Sequence, residues 1–173
     1  MNPQLDLFKG DIPDRQTYGL EENKKWLINN MQKPGGCKCP LCEQHVQVYR
    51  RPITSSMAKA LILIYRYYLK HDFFKSLQVE GYLKRCNVGS TIRGDFPKLR
   101  FWGLIRKSEE KKQRQGHYYL TQLGKHFVEE KIKVKKYAIV FNNQAWSLEG
   151  EEIGIKDTLK NPFDYNQLMQ GEI

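Results

Sequence analysis

Between Thr54 and Asp72 the chain carries its one long amphipathic pattern, and any fold must be built around it. Met57, Leu61, Ile64, Tyr65 and Tyr68 recur at i, i+4, i+7, i+8 and i+11, which sets them on one face of an α-helix. Thr54, Ser55 or Ser56 can cap its start with a side-chain oxygen. The same helix holds the longest apolar run, Ala60-Leu61-Ile62-Leu63-Ile64-Tyr65, far short of the roughly 20 residues that span a bilayer. With 40% hydrophobic residues and a mean hydropathy of −0.67, the 173 residues supply one modest core, and no membrane is expected as partner. The N-terminus shows no apolar signal core, so a cytoplasmic location is expected rather than secretion.

The rest of the chain divides around that helix into four segments: an extended leader (1–20), a short helix and a cysteine knuckle (21–52), a central domain (53–136), and a hairpin with an acidic tail (137–173). The leader contains Pro3, Gly10, Pro13 and Gly19 without a sustained period. The spacing predicts a short helix over 21–31, anchored by Trp26, Leu27 and Ile28 and ended by Pro34-Gly35-Gly36. A strand over 45–49 follows. After the long helix, residues 74–86 suggest another, stopping near Asn87-Val88-Gly89. Asp95 is a candidate cap for a helix with Phe96 and Leu99 inward and Gly103 as its left-handed stop. Leu104-Ile105 open a strand, residues 108–115 form a charged turn, and residues 116–120 return as a second strand. Thr121 then caps a last short helix carrying Leu123, Phe127 and Val128. Residues 137–141 and 145–148 flank Asn142-Asn143-Gln144 as a hairpin. Phe163, Tyr165, Leu168 and Met169 suggest a short helix laid against it.

Helix, Trp102-Gly103-Leu104-Ile105, basic turn, and Leu120-Thr121-x-x-Gly124-x-x-Phe127 together resemble a winged helix-turn-helix domain. In that family a recognition helix ends at Gly-Leu-Ile and a β-hairpin wing follows. The resemblance covers about residues 55–131. It departs from the family at Pro97, early in the implied recognition helix, which leaves the start of that helix undefined. The expected fold is α+β: a winged helix with an N-terminal zinc-knuckle-like segment and a C-terminal β-hairpin. The whole layout also looks like an uncharacterised class of small bacteriophage proteins, a likeness that brings no activity with it.

Charge follows the same division. Residues 1–36 are net neutral, 37–83 are +4, 84–121 are +7, 122–136 are +3, and 137–173 are −4. A positive block between a neutral leader and an acidic tail suggests a polyanion partner; solvated lysines on helix faces are the plainer reading. If the winged-helix resemblance holds, Leu99 inward puts Arg93, Lys98 and Arg100 on the outer half of the recognition helix, toward double-stranded DNA. Lys111, Lys112 and Arg114 then sit at the wing tip, within reach of the backbone.

Three of the four cysteines, Cys37, Cys39 and Cys42, lie within six residues. Cys39-Pro40-Leu41-Cys42 has the form of a knuckle that aims two thiolates at one point, and with Cys37 and His45 it offers four ligands to a structural Zn²⁺. Cys86 is an alternative fourth ligand. Reduced cysteines in an ordinary turn are the competing reading.

Gln4-Leu5-Asp6-Leu7-Phe8 resembles the short peptide by which bacterial polymerases and repair proteins bind the replicative sliding clamp. The resemblance implies Leu7 and Phe8 in a preformed apolar pocket, Gln4 at its rim and Leu5 in a side groove. Packing of Leu5, Leu7 and Phe8 on the protein's own core is the alternative. No phosphate-cradling glycine loop, no His-Glu-x-x-His and no Gly-x-Ser-x-Gly is present, and His45, His71, His117 and His126 have no evident carboxylate partner. An enzyme is therefore not expected. The sequence points to a phage or mobile-element DNA-binding adaptor that engages the sliding clamp of a bacterial host during replication. The alternatives are a protein-directed effector that inhibits a host enzyme or the clamp, and a winged-helix transcriptional repressor.

Overall fold

The computed structural model describes residues 19–73, 75–109, 116–160 and 163–171. It is an α+β chain with seven α-helices, one 3-10 helix and three small antiparallel sheets among those residues. Its contacts divide it into two units, Met1–Tyr49 and Arg50–Ile173. No helix among the described residues is long and apolar enough to cross a membrane.

In the first unit, α1 (Leu20–Asn30) begins after Gly19, whose backbone N–H donates to the Glu22 carboxylate at 2.9 Å. The helix is capped at Met31, before Pro34 is reached, and Met31 is its buried neighbour. Ile28, expected as an anchor, is 41% exposed. The strand expected over 45–49 is two pieces. β2 (His45–Val46) pairs with β1 (Cys37–Lys38), while β3 (Tyr49–Pro52) joins a different sheet.

The second unit is organised around α2 (Ser55–Lys70). Thr54 is its cap, the hydroxyl accepting from the Met57 N–H. The predicted face is buried, but so are Ala58, Ala60, Ile62 and Leu63. A helix apolar all round belongs at a centre, and α2 packs on every other helix of this unit. Each large apolar side chain buried there stabilises the fold by roughly 1.5–3 kcal/mol.

The helix expected over 74–86 is shorter than predicted. Leu77–Gln78 form a strand, β4, and α3 (Val79–Arg85) follows, with the Gln78 side-chain oxygen accepting from the Gly81 N–H at 2.7 Å. Asn87, at φ 54°, turns the chain into α4 (Ser90–Asp95). Asp95 stands at the N-cap position of the next helix, with Phe96 and Leu99 buried as expected, but its side chain makes no capping bond; its carboxylate pairs with Lys98 Nζ at 2.6 Å. The chain continues as a 3-10 helix, Phe96–Trp102. Pro97, which has no N–H, cannot extend the α4 ladder and is tolerated in the first turn of the 3-10 helix, where no intrahelical donor is needed. Gly103, at φ 69°, ends the helix as predicted.

β5 (Ile105–Lys107) and β6 (His117–Leu120) pair antiparallel, and β4 pairs on the other side of β6, giving the order β4-β6-β5. Thr121 caps α5 (Gln122–Val128), its hydroxyl accepting from the Gly124 N–H at 3.0 Å. Phe127 and Val128 are buried, whereas Leu123 is 44% exposed.

The C-terminal hairpin is longer than expected. β7 (Val134–Phe141) and β8 (Gln144–Ile153) are joined by Asn142-Asn143, both at positive φ, the arrangement of a type I′ turn. The sheet order is β3-β7-β8. A short α6 (Ile155–Thr158) and α7 (Tyr165–Gln170) close the unit. The main packing of α7 is on α2, with Leu168 buried, rather than on the hairpin.

Candidate nucleic-acid interface

Three elements of the second unit border a shallow groove of about 480 Å³: the start of α3 (Glu80), α4 and the 3-10 turn (Ser90, Arg93, Gly94, Phe96, Pro97), and the turn-side end of β6 in the β5–β6 hairpin (Gly116, Tyr118). Its floor is aromatic. Phe96 and Tyr118 meet edge to face at 5.2 Å, and both are buried. Arg93 stands on the wall, half-buried, and its Nε is a buried donor without a hydrogen-bond partner among the described residues. Among the described residues, Glu80 is the one carboxylate on the lining.

The hairpin register distributes its cations between two faces. Ile105 and Leu120 are opposite one another and buried in the core. Arg106 is opposite Tyr119 on the outer face, where its guanidinium lies 5.4 Å from the ring centroid. Lys107, exposed, is opposite Tyr118 and shares its face. Arg106, Lys107, Ser108, Glu109 and Tyr119 line a second concavity of about 380 Å³. Neither Arg106 nor Lys107 is among the sequence-derived candidates. The signal for them was the alternation that follows Leu104-Ile105, which leaves one cation on each face of the strand.

Of the sequence-derived candidates, Arg93 is in this interface. Lys98 is held by Asp95. Arg100 is engaged as well: its Nη2 donates to both the backbone carbonyl (3.3 Å) and the side-chain carbonyl of Asn143, at the tip of the β7–β8 hairpin. Lys111, Lys112 and Arg114 lie outside the described residues, as do Gln4, Leu5, Asp6, Leu7 and Phe8.

The cysteine segment is in the first unit. Cys37 and Cys39 alternate onto one face of the β1–β2 hairpin, and Cys39 and Gln44 close it by a 2.8 Å backbone bond. The Cys37 thiol is raised above its ordinary pKa by burial first and by the neighbouring Cys39 second, with Lys33 opposing. His45 is opposite Lys38 in the register, on the other face from Cys37, and its Nε2–H donates to the Gly35 carbonyl at 2.7 Å. Cys42 is exposed, and Cys86 belongs to the second unit. Among the described residues, no three Cys, His, Asp or Glu side chains are gathered as a ligand set.

Comparison of the chain with protein-family models, with curated proteins and with solved structures returned no match.

Proposed function

We propose that the chain binds double-stranded DNA in the manner of a winged helix. What supports the reading most is one observation: the order helix α2, short strand β4, helices α3 and α4, hairpin β5–β6, with β4 pairing on β6. Apart from β4, which the sequence does not predict, that order follows the helices and two-stranded wing of the resemblance, and the groove lies between the helix and the hairpin where such a domain would take a duplex. In this reading the α4 and 3-10 segment enters the major groove with Arg93 foremost. Arg106 and Lys107 hold phosphates beside it, and Lys111, Lys112 and Arg114 extend the contact. Lys98 and Arg100 contribute less, because each already has an internal partner.

The clamp peptide makes the same protein an adaptor, with Leu7 and Phe8 delivering the DNA-binding unit to the replication clamp of a bacterial host. Zinc enters as a structural ion on Cys37, Cys39 and Cys42. His45 could join them only by giving up its bond to Gly35. A repressor acting as a hairpin-paired dimer is less favoured, because β8 carries two breaks in register along its edge, and bulges discourage edge-to-edge pairing.

The test is a mobility-shift titration of a mixed-sequence duplex against the full chain and an Arg106→Ala, Lys107→Ala variant. The reading expects a shift that the variant weakens about tenfold or more. No shift, or equal shifts, would overturn it.

A further inference from the structure

The C-terminal hairpin holds an aromatic side chain in a way its core does not require. In the β7–β8 register Ile139 is opposite Ser147 and Val140 is opposite Ala145. Trp146 is therefore the extra residue of a bulge, a device that re-aims a side chain. Its indole is 45% exposed and rests edge to face on Phe141, with ring centroids 5.1 Å apart.

The surroundings of the tip are selective in charge. From Val134 through Leu148 the hairpin has no carboxylate, and Asn142, Asn143 and Gln144 at its end are exposed amides. The hairpin's acids follow from Glu149, which accepts from the Ser147 hydroxyl at 3.5 Å, and farther from the tip Glu151 pairs with Lys136 at 2.6 Å and Glu152 with Lys135 at 3.4 Å. Arg100 reaches the tip from the 3-10 helix through its bonds to Asn143. The buried Trp102 of the same helix donates its indole N–H to the Lys135 carbonyl at 2.7 Å. The helix proposed to read DNA is thus fastened to this hairpin at two points, one of them at the tip, where Arg100 meets Asn143. The three exposed amides there lie within a few residues of Trp146 along the chain, while the indole itself rests on the Phe141 face of the strand pair.

We infer that the tip of the β7–β8 hairpin is a second nucleic-acid contact, in which Trp146 stacks on an unpaired base next to the bound duplex. Every base has a π-face, so an exposed indole beside cationic and amide donors takes single-stranded nucleic acid with little sequence preference. A paired base inside a duplex cannot offer that face. The preferred substrate is then a duplex carrying a single-stranded tail. This inference rests on the DNA-binding reading above.

The experiment measures fluorescence anisotropy of two labelled DNAs, a blunt duplex and the same duplex with a single-stranded tail, against the full-length wild type, Trp146→Ala, Trp146→Phe and Arg93→Ala. The tailed duplex is expected to bind about tenfold tighter, the scale of one base on an aromatic ring. Trp146→Ala should erase that preference while keeping the blunt affinity, Trp146→Phe should retain part of it, and Arg93→Ala should weaken both DNAs. Equal wild-type affinity for the two DNAs, or a tail preference that survives Trp146→Ala, overturns the inference. Equal affinities together with self-association abolished by Trp146→Ala would assign the patch to a second copy of the chain and overturn it too. Failure to bind either DNA would instead remove the duplex-binding reading on which it rests.

Discussion

Gly124→Ala should damage the second unit, because the added methyl meets backbone rather than a movable side chain. A Cβ at Gly124 would lie 2.1 Å from the Leu104 carbonyl oxygen, 3.0 Å from its carbonyl carbon and 2.8 Å from Leu120 Cδ1. Two of these are backbone atoms, so no side-chain rotation relieves them. The Leu104 oxygen is also the acceptor for the Thr121 N–H at 3.2 Å and the Thr121 hydroxyl at 3.0 Å, and moving α5 away would stretch both bonds. Overpacking of this kind costs about 1–3 kcal/mol, and each weakened hydrogen bond about 1 kcal/mol more. The better helix propensity of Ala returns about 1 kcal/mol. The net loss is about 2–4 kcal/mol, or roughly 5–15 °C in Tm for a chain of this size. Thermal and urea unfolding followed by circular dichroism measure it, with Gly94→Ala as the control. Gly94 is helical and has nothing within 4 Å of its Cβ position, so that variant should be neutral or slightly stabilised. If the two alanine variants are equally stable, the close approach of α5 to Leu104 is not what the glycine serves.

Glu129 is held below its ordinary pKa of 4.5, first by the hydrogen bond from Lys131, then by the Tyr65 hydroxyl and the charges of Lys131 and Lys125, against an opposing effect of burial. A depressed folded pKa stabilises above the unfolded value and is lost as pH falls through the folded one, so Tm should decline below about pH 4.5 and Glu129→Gln should flatten that decline; parallel Tm–pH curves would refute it. In a peptide of residues 1–12, Leu7→Ala with Phe8→Ala should weaken binding to a bacterial clamp by about two to four orders of magnitude, since each apolar side chain contributes roughly 1.5–3 kcal/mol; isothermal titration decides, and equal binding by both peptides refutes the clamp contact. Protein purified with zinc should retain about one ion per chain and lose it on Cys39→Ser with Cys42→Ser, as read by elemental analysis; a metal content unchanged by the substitutions would remove the knuckle from the account.

The parts of this fold that were legible in the sequence are those set by local chemistry. The period of Met57, Leu61, Ile64, Tyr65 and Tyr68, the caps at Thr54 and Thr121, and the left-handed stop at Gly103 each depend on residues within one or two turns, and the structure has each of them. What escaped was non-local. β4 is two residues long and exists only because Leu77 and Gln78 pair with Tyr118 and His117, some forty positions away. Pro97 leaves the helix start ambiguous in the sequence, yet it sits inside a continuing helical path whose winding passes from α to 3-10. The candidate site suffered in the same way. Arg100 reads as an outward cation on any helical wheel, and its partner Asn143 is 43 positions further on. His45 is the right residue type close to the knuckle, but strand alternation turns it to the face opposite Cys37. Spacing reports which residues are near; register decides which of them share a face.

The central claim, that the α4 groove and the β5–β6 hairpin bind duplex DNA through Arg93, Arg106 and Lys107, is tested most directly by the salt dependence of that binding. If these three cations and Lys111, Lys112 and Arg114 each neutralise a phosphate, a plot of log K against log salt concentration should fall with a slope of about −5. Arg93→Ala should reduce the steepness by about one. A slope near zero, or one that Arg93→Ala leaves unchanged, would contradict the account.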